Sequence, residues 1–331
     1  LDGQLATRTR SLPELVRARL QDGGMAPEMA AVAAQKASGF GTEAGTETKP
    51  NAGGKYRTAQ TMFLSDGDVQ AVADTLREAA EKAGTPDKFA KLTAKELQKA
   101  AEDRGFRPVA VDVALFGRMV TSEAFVDVEA SSQFAHAIST HKVDHEFDYY
   151  TAVDDLERAA DDTAGAGADM IGDTEFNSAC YYKYFNVHVD GLLENLDPRA
   201  GDRDAARATA ATTVRALLES AVRVSPSAKQ NAFAAFQLPS LVLVEVRPDN
   251  LPVSYANAFV KPVDPKRGEG VVAESAARLV EEAQKLTQKF DLKATDRFLL
   301  LADDALPTGG IEAVPSLGAM LDRVEAAVRN A

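Results

Sequence analysis

The hydrophobic period of this chain changes near residue 109, and that change constrains the fold more than any other single feature. Upstream, apolar residues recur every three to four positions, as one face of a helix requires. Leu12, Leu15, Val16 and Leu20 do so within Ser11–Gln21, with Pro13 tolerated in the first turn, and Val69, Val72, Leu76 and Ala80 do so within Asp66–Lys82. Pro27–Gln35 reads as a short Ala-rich helix. Thr93 followed by Glu96 is a capping-box pair, so a further helix is expected from there to about Asp103. Between these helices, 39–54 (GFGTEAGTETKPNAGG) has no period and abundant Gly and Thr, and is expected as a mobile loop.

Downstream the spacing becomes two. Val109, Val111 and Val113 alternate with smaller or polar residues, which predicts a half-buried strand. Ala179–Val189 alternates again: Ala179, Tyr181, Phe185, Val187 and Val189 share the apolar face, and Tyr182, Tyr184, Asn186 and His188 share the other. Leu241–Val246 is almost continuously apolar and is expected as a central strand, and Phe298–Leu301 as a fourth. Helical spacing returns over Arg203–Val222, Ala273–Phe290 and Ser316–Ala327. Strands interleaved with helices, without a Gly-rich phosphate loop, predict an α+β fold whose helices cover one face of a small sheet. The 331 residues suffice for one large domain with insertions or for two domains.

No apolar run approaches the roughly 20 residues a membrane helix needs. Leu1–Gly24 is polar and Arg-rich, without the apolar core of a signal peptide. The single Cys180 rules out an intramolecular disulfide, fits a reducing cytoplasm, and is expected as a small buried strand residue. Opening on Leu1 rather than Met, the chain is expected to have its true start upstream. A net charge of −13 argues against a generic nucleic-acid binder. Most of it is concentrated, however. From Lys142 to Phe176, eleven acidic residues face only Lys142 and Arg158, a local balance of −9 that leaves −4 for the remainder.

Several groupings bear chemistry. His136, His141, Asp144, His145 and Asp148 could bind a divalent metal and activate water, which keeps open a metal-dependent hydrolase using His136, His141 and Asp144. The five-residue step between His136 and His141 suits neither one helix face nor one strand face, so hydrogen-bonding or surface histidines are the plainer reading. The pairs Asp154–Asp155 and Asp161–Asp162 resemble acid/base carboxylates, but they stand in a segment with nothing to desolvate them. Nucleophile elbow, Cys/His pair, P-loop and dinucleotide fingerprint are all absent from the sequence. Lys88, Lys91, Lys95 and Lys99 would form one stripe on a single helix, able to touch phosphates, or a solvated face beside Asp87 and Glu96. Lys261, Lys266 and Arg267 make a second small basic cluster. Tyr181, Tyr182, Lys183, Tyr184 and Phe185 interleave aromatics with a cation; core packing of Tyr181 and Phe185 competes with base stacking.

Six strings in order carry a family resemblance: ALFGRMVTS (Ala114–Ser122), AHAISTH (Ala135–His141), YTAVDDL (Tyr150–Leu156), EFNSACYYKYFNV (Glu175–Val187), PSAKQNAFAAF (Pro226–Phe236) and PVSYANAFVKPV (Pro252–Val263). Through them the chain resembles the CasC-type backbone subunits of type I-E CRISPR Cascade complexes, from about Val111 to the end and diffusely before Arg104. The resemblance implies a right-hand shape: an RRM/ferredoxin-like palm, a helical finger insertion and a protruding β-hairpin thumb. Residues 1–133 would form the finger region, 142–176 the thumb, and 134–141 with 177–331 the palm. It also implies a cytoplasmic, non-catalytic scaffold of an antiviral surveillance complex, without cofactor. Copies would stack head to tail along a CRISPR guide RNA and present it in short segments, separated by flipped bases, for pairing with target DNA. Further partners would be the large subunit, the small subunit and the CasD-type and CasE-type proteins. By the same resemblance Arg118, Met119, Tyr150, Thr151, Lys229 and Lys261 would touch RNA, Met119 as a wedge at the kink. Lys88, Lys91, Lys95 and Lys99 would hold target DNA. By the same resemblance, the family's first strand and the basic helix after it would be expected upstream of these residues.

Three readings stay open at this point: a passive RNA scaffold, a metal-dependent hydrolase, and a protein filament module without nucleic acid.

Overall fold

A computed structural model describes residues 4–102, 110–122, 124–125, 127–152, 170–197, 201–266 and 270–331. Helix and sheet are mixed, as the α+β expectation had it, and the chain divides into two compact units. One comprises Leu1–Gln133, Asn186–Leu238 and Ser316–Ala331; the other comprises Phe134–Phe185 and Pro239–Pro315. The expected palm segment 177–331 is thus distributed over both.

In the first unit, β1 (Thr7–Thr9) pairs antiparallel with β2 (Met62–Leu64), and α1 (Leu12–Asp22), α2 (Pro27–Ser38) and α3 (Asp66–Ala83) pack into a helical core. Leu12, Val16 and Leu20 of α1 and Val72 and Leu76 of α3 are fully buried, the positions that the 3.6-residue period picks out. In α2 the buried side chains Ala30, Ala33 and Ala37 are small enough to let α1 lie close alongside. The short α4 (Pro86–Ala90) and α5 (Ala94–Glu102) add Phe89, Leu97 and Ala101. The Thr93–Glu96 capping box is present: the Thr93 N–H and hydroxyl both donate to the Glu96 carboxylate, at 2.9 and 2.8 Å. Those two bonds, the backbone one first, hold the Glu96 carboxyl below its ordinary pKa.

The first part of the segment expected as a mobile loop, 39–47, is instead tied down, while 49–54 is exposed. Phe40 is fully buried, Gln98 donates to the carbonyls of Gly39 and Thr42 (2.7 and 2.9 Å), and Lys36 pairs with Glu47 at 2.7 Å. Gly45 has φ +64° and lies so close to α5 that a Cβ would come within 2.7 Å of the Lys95 nitrogen. Its glycine serves close approach rather than flexibility.

A second core of the same unit joins α6 (Val111–Phe116), α7 (Val189–Leu196), α8 (Arg203–Arg223) and α11 (Leu317–Arg329). The strand expected over 109–113 is therefore wrong for its described part. Val111, Ala114 and Leu115 recur at i, i+3 and i+4 and all enter this core, so tertiary burial overrides the β preference of three valines. Arg215 of α8 donates to Asp322 and Glu325 of α11 at 2.5 and 3.2 Å.

In the second unit, β9 (Leu241–Val246), β10 (Asp296–Leu301) and β11 (Glu312–Ala313) form a sheet of order β11-β10-β9. The central strand is β10, not β9: Phe298 and Leu299 are fully buried, while every residue of β9 is half-buried. Continuous apolarity marked partial cover of both faces, not membership of the sheet centre. α10 (Val271–Lys289) contributes Ala283, Leu279 and Leu286 to a core with Leu243, Tyr182, Tyr255 and Phe259.

The expected strand 179–189 is interrupted. It becomes β7 (Tyr181–Tyr182), paired with β4 (Ile138–Ser139), and β8 (Phe185–Val187), paired with β3 (Ser132–Phe134), and Val189 already opens α7. Tyr182 is consequently the buried partner, 9% exposed, and Tyr181 is 53% exposed, the reverse of the alternation. Cys180 lies just ahead of β7 and is half-buried. Finally, β5 (Glu146–Ala152) and β6 (Met170–Phe176) make an antiparallel ribbon inside the acidic segment, and all seven residues of β5 are exposed. The acidic pairs 154–155 and 161–162 lie outside the described residues.

Candidate nucleic-acid interface

The Gly117–Met119 turn follows from a sharp end to α6. Gly117 adopts φ +76° and passes so close to the following chain that a Cβ would lie 2.7 Å from the Val128 carbonyl oxygen, so no other residue fits without displacement. Arg118 then bridges Val128 antiparallel, with N–H···O distances of 2.9 and 2.8 Å in the two directions. Its side chain points inward. The guanidinium donates to Asp68 Oδ2 and to the Phe63 carbonyl, both at 3.0 Å, and stands 5.5 Å over the Phe125 ring. Asp68 is the third residue of α3 and completes the capping box of its N-cap, Ser65, accepting from the Ser65 N–H and hydroxyl at 2.8 Å each. Only 2% of the Arg118 side chain is exposed, so the RNA contact expected of Arg118 is not available to it. Met119, its neighbour, is 90% exposed.

On the ribbon, Tyr150 pairs with Gly172 and Thr151 with Ile171. The Tyr150 ring lies over Gly172, where a Cβ would come within 2.5 Å of its Cζ and hydroxyl. A bare glycine thus lets the aromatic ring lie across the ribbon, about half of it exposed. Directly opposed residues share a face. One face therefore carries Tyr150, Ala152 and Met170 with Glu146 and Asp148; the other carries Phe147, Tyr149 and Ile171 with Asp173 and Glu175.

Lys261 is exposed and sits on a short loop after a 3₁₀ turn, Ala256–Phe259. Three anchors hold that loop. Arg278 donates to the Lys261 carbonyl at 2.5 Å, and the Val263 N–H donates to the Thr140 carbonyl at 2.9 Å. The Tyr182 hydroxyl accepts from the Tyr255 N–H at 2.9 Å. Behind it the Tyr255 hydroxyl donates to Glu245 at 2.7 Å, and Arg247 and Arg297 approach the same carboxylate at 2.7 and 2.6 Å. Burial first, then donation to Glu245, drives the Tyr255 phenol well above its ordinary pKa. Burial likewise raises Tyr182, and pushes Tyr184 up to about 12.

The four lysines do not share one helix. Lys88 lies on α4, Lys91 just after it, and only Lys95 and Lys99 are spaced i, i+4 on α5; all four are exposed. Lys229 is exposed in a left-handed conformation, φ +52°, immediately before the one-turn α9 (Gln230–Phe233).

The histidine grouping is not assembled as a site. His141 Nδ1 donates to the Lys142 carbonyl at 2.7 Å, while Nε2 accepts from the Cys180 N–H at 3.1 Å, so both ring nitrogens serve the backbone. His145 is engaged with Glu175 across the ribbon, Asp144 pairs with Lys142 at 3.2 Å, and His136 is exposed. Among the described residues no group of three or more His, Cys, Asp or Glu is arranged to hold a metal ion. Nor, among them, is any helix long and apolar enough to cross a membrane.

The family model of the CT1975-like proteins matches residues 1–323. This chain belongs to that family. The match takes in the helical region ahead of Arg104, where the six strings gave no support. No curated protein matches the CT1975-like chain. Among solved structures, it is similar to a chain described as "CRISPR RNA-guided surveillance complex, pre-nicking", with 27% identity and a TM-score of 0.74. That likeness covers 98% of this chain and 85% of the other. A second chain, described as "CRISPR RNA-guided surveillance complex", is 22% identical with a TM-score of 0.64, covering 97% and 82%, and shows the fold alone.

Two features of the CT1975-like chain escaped the sequence reading. The burial of Arg118 depends on Asp68, fifty residues away, so its own string places it with the RNA contacts. The Glu245–Arg247–Tyr255–Arg297 network draws on residues far apart in sequence. Its one local trace is the charged pair Glu245 and Arg247 at the end of an otherwise apolar run.

Proposed function

We propose that this CT1975-like chain is the CRISPR RNA-binding backbone subunit of a type I-E, CasC-type Cascade effector, a scaffold that cleaves nothing itself. The observation that carries this reading is the likeness over 98% of the chain, at a TM-score of 0.74 and 27% identity, to a chain of a CRISPR RNA-guided surveillance complex. Copies polymerise head to tail along the guide and present it for pairing with target DNA, so that sequence reading is left to base pairing. The large, small, CasD-type and CasE-type subunits complete the assembly.

Each exposed side chain has a physical task in that scheme. Met119 inserts between guide bases and unstacks them, a step that costs a few kcal/mol and that an apolar side chain can offset. Tyr150 offers an aromatic surface and Thr151 a hydroxyl at the ribbon, the thumb of this reading. Lys261 and Lys229 neutralise guide phosphates, and Lys88, Lys91, Lys95 and Lys99 neutralise target-DNA phosphates. The carboxylates of the ribbon repel phosphate, so the ribbon touches RNA through uncharged groups, the Tyr150 ring on one face and the Thr151 hydroxyl on the opposite one.

Equilibrium binding to a single-stranded RNA long enough to span several copies tests the proposal. The expected result is salt-dependent binding, with the RNA recovered intact after incubation with magnesium or manganese. Cleavage that disappears on replacing His136 or His141 would overturn it.

A further inference from the structure

Arg118 and Met119 are adjacent in the chain and opposite in fate. The Arg118 side chain and its partner Asp68 are 2% and 1% exposed, while Met119 stands 90% exposed. An unsupported methionine at the tip of a turn lies down on neighbouring apolar surface, because burying it is favourable. This one is prevented from doing so. Arg118 is held by backbone bonds to Val128 in both directions, and in extended backbone successive side chains point to opposite sides. With Arg118 locked inward against Asp68, the Phe63 carbonyl and the Phe125 ring, the next side chain, Met119, points out. Beyond it, the Val120 N–H donates to Asp127 at 2.7 Å and closes the turn on its other side.

We infer that Arg118 is the positioning residue for Met119: the buried Arg118–Asp68 pair is a strut that preorganises the wedge before RNA arrives. This rests on the reading of Met119 as an unstacking residue. The strut also links the wedge to the first turn of α3, since Asp68 caps that helix through Ser65. Its contribution is to pay the ordering cost of the turn during folding rather than on binding.

The experiment is a double-mutant cycle read by the fluorescence of a 2-aminopurine-substituted single-stranded RNA, which brightens as its bases unstack. The variants are Arg118→Lys, Met119→Ala and the two combined, each assembled as full chain on the RNA. Met119→Ala is expected to remove most of the brightening. Arg118→Lys, which keeps the charge but not the forked donors, is expected to reduce it by about tenfold in the wild-type background and not at all beside Met119→Ala. Equal loss in both backgrounds would overturn the positioning role while leaving the wedge reading intact. A Met119→Ala chain that brightens the probe like wild type would defeat the wedge reading itself, and the strut with it. Should Arg118→Lys not fold, amide hydrogen exchange of the wild-type chain decides. Strong protection of the Arg118 N–H beside rapid exchange at Met119 supports the strut; free exchange at Arg118 overturns it.

Discussion

The Tyr182 hydroxyl accepts a hydrogen bond from the backbone N–H of Tyr255 at 2.9 Å, joining residues seventy-three positions apart. The bond fixes the start of the turn that carries Lys261. Tyr255 is 4% exposed, so its N–H has little access to water if the hydroxyl is removed. Tyr182→Phe should therefore cost about 1–3 kcal/mol in urea unfolding, the penalty for a buried donor left without a partner.

Alkaline pH should destabilise the second unit first. Burial pushes Tyr184 from the ordinary 10.0 up to about 12, and raises Tyr182 and Tyr255 in the same direction. Between those two values the unfolded chain has released the Tyr184 proton and the folded chain has kept it, so stability falls with rising pH. The contribution is intact below pH 10 and is lost as pH climbs through about 12. Unfolding free energy measured across that window should decline, and Tyr184→Phe should make the decline shallower. A wild-type slope unchanged by that substitution would contradict the assignment.

Asp68→Ala should be among the most damaging single changes in the first unit. It strands a buried guanidinium, at about 3–5 kcal/mol, and removes the Asp68 half of the α3 capping box, while the Ser65 hydroxyl still accepts from the residue-68 N–H. Replacing Asp68 and Arg118 together by Leu and Met should cost less than Asp68→Ala, because no buried charge is then left alone. Denaturant midpoints of the three chains give the order directly.

Gly172→Ala should act on binding rather than on folding. The new Cβ would meet the far end of the Tyr150 side chain, which can swing away. Stability should change by less than about 1 kcal/mol, while RNA affinity drops by about tenfold if the displaced ring had stacked on a base. The same affinity loss is expected from Tyr150→Ala, with no further loss when the two are combined.

Local signals carried over well where local physics decides. The 3.6-residue spacing placed α1, α3, α8, α10 and α11, and Thr93 with Glu96 marked the start of α5, because a helix face and its cap are written within a few residues. What failed depended on distant partners. Val111 reads as strand until α7 and α8 are present to bury it, and the first part of 39–54 reads as flexible until Gln98 and the α5 backbone supply its contacts. The break at Lys183–Tyr184 has no local mark, so the faces of Tyr181 and Tyr182 were exchanged. In the candidate interface, Met119 and Lys261 stand within sequence strings, and the structure leaves both exposed. That Arg118 faces inward was not, since only the fold brings Asp68 beneath it.

The central claim, that this chain encloses a guide RNA without cutting it, is tested most directly by nuclease protection of the assembled complex. The chain is co-expressed with its partner subunits and a CRISPR array, purified, treated with ribonuclease, and the RNA extracted and sized. The account predicts a discrete protected RNA of guide length, released whole when the protein is denatured. Assembly of the complex with no protected RNA, or with RNA trimmed by the chain itself, would contradict it.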